Sequence, residues 1–317
     1  MSSLNVNSAR VIDPILTGVA QGYRHVQRVG HTLFPAINVL QRGGKVIEFG
    51  RESFFDYKAR RAPGADAKQI QFGYEGKPYA LSQFTLDAPV AREFVDDAQT
   101  VPGIDMGKRA VTTLMDSLTL SLEIEQAAIA TNAANYAANN KLSLTGSDRW
   151  DSATSKPIED IEQAKDQVRT TCGVEPNRMV IQNAAFKALK RHPDIVDRFK
   201  YTSAKSITAE MLANLFDLDE LAVGKVTYVD DPAKDAPFKE AWGNSAVLAY
   251  VPVQDPSMEQ PSYGYTYTLT GHPFVEQPRW DGGKRSWIYG VTYEREPVLT
   301  GIASGFLFQN VIGANAC

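Results

Sequence analysis

From Asp105 to about Ala137 the chain runs for roughly thirty residues without a proline, and only Gly107 weakens the first turn. Val111, Leu114, Met115, Leu118, Leu122 and Ile129 recur at helical spacing, while Asp116, Thr119, Glu123 and Gln126 recur on another face. Pro102-Gly103 marks the start. A helix of that length spans about 45 Å, well beyond the ordinary helix, and is long enough to link separate lobes. Any fold available to this chain is therefore hung on a spine.

Upstream of the spine, residues 1–44 mix short apolar pieces with Pro14, Gly18, Gly22, Gly30 and Pro35 and hold no sustained period. This reads as an extended arm with one short helix and little core of its own. The segment KVIEFGRESFFDY (45–57) and the segment QIQFGYEGKPYALSQFTL (69–86) are rich in aromatic and β-branched residues and read as two strands. Between them KARRAPGADAK carries the turn signal Pro63-Gly64. The whole is a long hairpin over 45–86. Two strands alone are marginal in water, so this hairpin lies either on its own domain or on another subunit.

Downstream, 141–156 reads as a polar loop, and helix and strand then alternate. Pro157 opens a helix that ends at Cys172-Gly173; Arg178–Gln182 is a strand; Asn183 caps a helix through Leu189, and Pro193 opens another through Phe199. Thr208 caps a further helix, followed by strands over 224–229 and 245–251. From Tyr263 onward the pattern is almost wholly strand, with Asp281-Gly282-Gly283 as a turn. The class is α+β.

Chemistry is sparse in this pattern. No GxSxG, P-loop, GxGxxG or HExxH sequence occurs, and His25, His31, His192 and His272 have no Cys or carboxylate at zinc-like spacing, so no cofactor or metal is expected. His192, before Pro193, reads as a cation at a helix end. Glu123 and Glu125 point in different directions from the spine, which suits solvated or interfacial charge better than an acid/base pair. An enzyme would have to assemble its site from scattered residues. The two cysteines, Cys172 and Cys317, offer no disulfide framework.

With a net charge of -4 and a pI near 5.7, the chain lacks the positive field that broad DNA binding needs. No apolar run approaches a membrane span, and the first residues resemble no secretory signal, so a cytosolic site of synthesis is expected and no membrane partner. One basic cluster is suggestively placed: Lys58, Arg60, Arg61 and Lys68 at the hairpin tip. It serves solubility, meets a neighbour's carboxylates, or touches DNA.

Four stretches carry a family resemblance. TAEMLANLFDLDELAVGKVTYV from Thr208, AWGNSAVLAYVP from Ala241, PSYGYTY from Pro261 and GFLFQNVI from Gly305 resemble, in order, segments of tailed-bacteriophage major capsid proteins. The resemblance implies the Hong Kong 97-type fold: an N-terminal arm (1–44), an extended loop (45–86), a peripheral domain (87–157) containing the spine at about 105–137, an axial domain (158–260), and terminal strands (261–317) that complete the peripheral domain. It implies hexamers and pentamers of one chain in an icosahedral shell around double-stranded DNA, assembled in the host cytoplasm. It further implies a portal, a separate scaffolding protein or prior cleavage, since the chain begins with the arm, and in some members a decoration protein. Under this resemblance Lys58, Arg60, Arg61, Lys68, Glu123 and Glu125 are candidate intersubunit contacts. In some members a loop lysine is joined to a neighbour's asparagine, but no matching asparagine or assisting carboxylate stands beside Lys58 or Lys68. A phage tail protein or other oligomeric virion protein is the alternative.

Overall fold

The computed structural model describes residues 12–45, 60, 78–99, 105–200, 206–230, 236–252 and 262–313. Asp13 starts helix α1 (Pro14–Gly22) by accepting the Ile15 and Leu16 amides at 2.9 Å, and Pro14 occupies a position that has no hydrogen bond to lose. A 3₁₀ turn at Gly30–Thr32 leads to strands β1 (Ala36–Val39) and β2 (Gly43–Lys45). The arm is less bare than its sequence suggests, because Leu33 and Phe34 are wholly buried and Phe34 packs against the Tyr263 ring at 5.5 Å. Strand β2 pairs antiparallel with β3 (Pro78–Ala80), Gly43 opposite Ala80. This pairing is the base of the expected hairpin, whose residues 46–59 and 61–77 lie outside the described residues.

Strand β4 (Ser82–Ala91) passes directly into helix α2 (Arg92–Gln99), and the spine is helix α3 (Met106–Thr131), capped by Asp105 through the Lys108 amide. The spine ends six residues before the expected Ala137. Asn132 turns extended, and its side chain accepts the Ala134 amide to start a new turn. Donors from beyond the helix then take its last carbonyls: Asn135 Nδ2 that of Ile129, and the Tyr136 hydroxyl that of Ala130.

The next segment builds a five-stranded sheet. Its strands are β5 (Lys141–Ser143), β6 (Arg178–Gln182), β7 (Glu220–Gly224), β10 (Ser245–Ala249) and β15 (Gly305–Gln309), ordered β5-β15-β10-β6-β7. Helix α4 (Pro157–Cys172) follows β5, and Gly173 closes it in the left-handed conformation at φ 77°. Helices α5 (Asn183–Leu189), α6 (Pro193–Phe199) and α7 (Ala209–Leu215) fill the crossover between the parallel strands β6 and β7. Gln182, not Asn183, caps α5, and Thr208 caps α7 as expected. The strand expected at 224–229 is displaced: β7 ends at Gly224, where a Cβ would lie 2.4 Å from the Trp242 ring, and only the short pair β8 (Thr227–Tyr228) and β9 (Lys239–Glu240) follows. The supposed loop at 141–156 likewise opens with β5, parallel to β15.

The second sheet is organised on the tail strand β14 (Ser286–Leu299). Along one edge runs β4; along the other, in succession, lie β13 (Arg279–Asp281), β12 (Phe274–Val275) and β11 (Gly264–Leu269), with β1 parallel to β11. The tail does not all join this sheet. GFLFQ is apolar on both faces and needs cover on both sides, which it finds as β15 between β5 and β10.

The spine joins the two sheets. Its first half sets Val111, Leu114, Met115 and Leu118 on Val275, Val291 and Tyr293 of the β14 sheet, with Leu16 and Ala20 of α1 closing the cluster. Its last turns set Ala127 and Ala130 among Val180, Val247 and Leu307, on the face of the five-stranded sheet opposite α4–α7.

Candidate assembly surfaces

Glu123 and Glu125 stand on the spine where the two sheets meet, and both work inside the subunit. Glu123 is 1% exposed and receives three donors: the Val29 amide at 3.1 Å, the Gly30 amide at 2.7 Å and Trp242 Nε1 at 2.7 Å. One carboxylate thereby ties arm, spine and five-stranded sheet together. The reading of Glu123 as solvated or interfacial charge is corrected: its donors come from segments distant in sequence, and they replace water. Glu125, one-third exposed, accepts both terminal nitrogens of Arg295, whose side chain is wholly buried with its guanidinium 4.2 Å from the Phe84 ring centre. It too is engaged intramolecularly. A buried guanidinium requires such a partner.

The hairpin base is anchored as firmly. Arg42 donates from Nε at 2.7 Å and from Nη2 at 2.9 Å to the two oxygens of Glu294, a bidentate pair whose carboxylate is buried. This hydrogen bonding and the Glu294 charge push the Arg42 guanidinium up from its ordinary range. His272 accepts the Glu294 amide on Nδ1. Tyr79 of β3 stacks on Tyr267 of β11 at 4.5 Å, and burial pushes the Tyr267 phenol up to about 12. Strands β2 and β3 are themselves mostly exposed, and Leu40 beside them is 86% exposed. Of the tip residues, Arg60 is exposed; Lys58, Arg61 and Lys68 lie outside the described residues.

Other uncovered apolar side chains gather at the far end of β14, where Trp280 and Trp287 face each other edge to face at 5.3 Å and Phe94 projects from α2. Neither the Arg42–Glu294 anchor nor the Glu123 node is visible as a motif, because each is assembled from distant segments. For Glu123 a signal did exist: Glu123 and Gln126 share a stripe with Ala127 and Ala130, residues suited to close packing. Among the described residues no group of His, Cys, Asp and Glu is arranged to hold a metal ion. His192 is buried at the N-cap of α6, with Nε2 within hydrogen-bonding distance of the Ser152 carbonyl and the Ser155 hydroxyl.

Residues 132–258 match the family described as Phage major capsid protein E. The major capsid protein of Burkholderia phage BcepMu is 34% identical over 313 residues, covering 97% of this chain and 99% of that one. A crystal structure of a phage-related protein from Bordetella bronchiseptica RB50 superimposes with a TM-score of 0.83 at 43% identity, over 95% of this chain and 98% of that chain. The virus-like particle of Pyrococcus furiosus shares the fold alone, with a TM-score of 0.54 at 11% identity over 93% of this chain and 96% of that one. The fold is of the Hong Kong 97 type, and the chain belongs to the phage major capsid proteins, the structural building blocks of phage heads.

Proposed function

We propose that copies of this chain associate as hexamers and pentamers into an icosahedral head around double-stranded DNA, in the host cytoplasm, with the extended loop that leaves β2 and returns at β3 lying across a neighbouring subunit. The observation that carries this reading is the hairpin base. The bidentate pair of Arg42 with the buried Glu294 carboxylate and the Tyr79–Tyr267 stack hold β2 and β3 in one direction although the strands cover little of their own subunit. Ordering an exposed element costs conformational entropy, and a surface on the next subunit would offset it. The domain scheme of arm, extended loop, peripheral and axial parts follows the same reading. So do a scaffolding protein, a portal and a decoration protein as partners, and a weak, non-specific contact with packaged DNA, in keeping with the net charge of -4.

Electron microscopy of the purified chain, alone and with a candidate scaffolding protein, tests the proposal. Closed shells or six- and five-fold capsomers are expected. Tubes or open rings would place the chain in another part of the virion, and a compact monomer under every assembly condition would refute the proposal.

A further inference from the structure

Helices α5 and α6 and the start of α7 line an open surface cavity of about 410 Å³. Its lining combines the cations Lys187, Lys190, Arg191 and Lys200 with the apolar Val196, Phe199, Ile207 and Met211. Phe199 and Ile207 continue into the core beneath the helices, whereas Val196 is 44% exposed. Among the described residues no carboxylate pairs with any of the four cations; Lys190 stands over the Phe186 ring at 5.5 Å. On a chain with net charge -4, this is a concentrated positive site with apolar side chains in its lining.

We propose that this cavity docks an acidic segment of a partner protein, carrying one or two aliphatic or aromatic anchors. The four cations are spaced around a concavity and supply charge-assisted hydrogen bonds to carboxylates. The apolar lining rewards an anchor side chain, which a nucleic acid backbone does not offer, and a cavity of this size admits side chains and not a duplex. Electrostatic complementarity with a net negative peptide therefore identifies the occupant as a protein segment. The inference stands apart from the shell reading, since peptide binding is measured whether or not the chain closes into shells.

The test is fluorescence anisotropy on the full-length chain. The probes are a labelled Glu/Asp-rich peptide with a central Leu-Phe, its Gln/Asn counterpart, and labelled oligothymidylate. The acidic peptide is expected to bind and to weaken with salt, and the neutral peptide to bind at least about tenfold more weakly. Lys187→Glu with Lys190→Glu should reduce acidic-peptide binding by about tenfold or more, and Val196→Ser by about threefold, both with an unchanged thermal melt. All of these side chains lie at the surface, and Lys190→Gln serves as a milder variant should the reversal disturb folding. Failure of the acidic peptide to bind overturns the proposal. So does oligothymidylate binding more tightly than the peptide and being lost in the variant, which would assign the site to phosphates. A variant that alters association of the chain with itself while leaving peptide binding intact would assign the site to a second copy, and equally overturns it.

Discussion

Replacing Glu123 by Gln tests whether one buried carboxylate holds arm, spine and sheet together. The substitution keeps the volume and removes one acceptor. In the cheaper orientation the amide oxygen takes the place of Oε1, which receives both Val29 N and Trp242 Nε1, and the amide nitrogen then faces the Gly30 amide that stood 2.7 Å from Oε2. A hydrogen bond to a charged group is lost, at about 1.5–3 kcal/mol, and two buried donors confront each other, at about 1–3 kcal/mol, for a total of roughly 3–6 kcal/mol. On a chain of this size that corresponds to a fall in Tm on the order of 10 °C. Urea unfolding of unassembled subunits measures the loss, and amide exchange at Val29 and Gly30 locates it. Trp242→Phe removes the indole donor and part of a buried ring, so it should cost at least about 1.5–3 kcal/mol, and a double-mutant cycle with Glu123→Gln separates the coupling from the lost packing. Asp116→Asn, on the same helix and half exposed, sets the surface scale at about 1 kcal/mol or less. If Glu123→Gln costs no more than Asp116→Asn, the node is not the fastening described here.

The remaining predictions concern the same joints and the proposed contact. Gly30→Ala should destabilise by about 2–4 kcal/mol, because its Cβ would come within 2.0 Å of Gln126 Oε1, and Gln126→Ala in the same chain should recover part of the loss in a urea titration. Burial holds Tyr136 and Tyr263 well above the ordinary phenol range and Tyr267 at about 12, so the folded state retains protons that the unfolded chain releases from about pH 10. The stability these tyrosines contribute is complete below about pH 10 and falls as pH rises toward 12; Tyr263→Phe should flatten that slope in urea midpoints while costing about 1 kcal/mol at neutral pH, since the Tyr136 hydroxyl keeps the Ala130 carbonyl. Arg60→Glu with Arg61→Glu should leave a folded subunit by circular dichroism and reduce shell yield by electron microscopy. Wild-type yield would remove these residues from the contact.

What the sequence made legible was whatever is decided within a few residues. Pro157 and Gly173 bound α4 because a missing N–H and a left-handed C-cap act locally, and Thr208 starts α7 through an amide three residues away. The end of the spine escaped detection because Asn132 through Tyr136 are no worse helix formers than many residues inside it; what stops the helix is that Asn135 and Tyr136 reach back to its carbonyls while Tyr136 also meets Tyr263 from the tail. The destination of β15 was hidden for a related reason. An apolar strand declares that it needs two covered faces but not which sheet provides them, and that choice is made by β5 and β10, far away in the chain. Polar residues on the spine show the limit most clearly. Periodicity assigns Glu123 to a polar face, and on an isolated helix it would be right. Once Val29, Gly30 and Trp242 bring their N–H groups to it, the same charge becomes a reason for the arm to lie where it does. On a helix that joins two sheets, a carboxylate sharing a stripe with alanines is therefore better read as a fastening between segments than as surface charge.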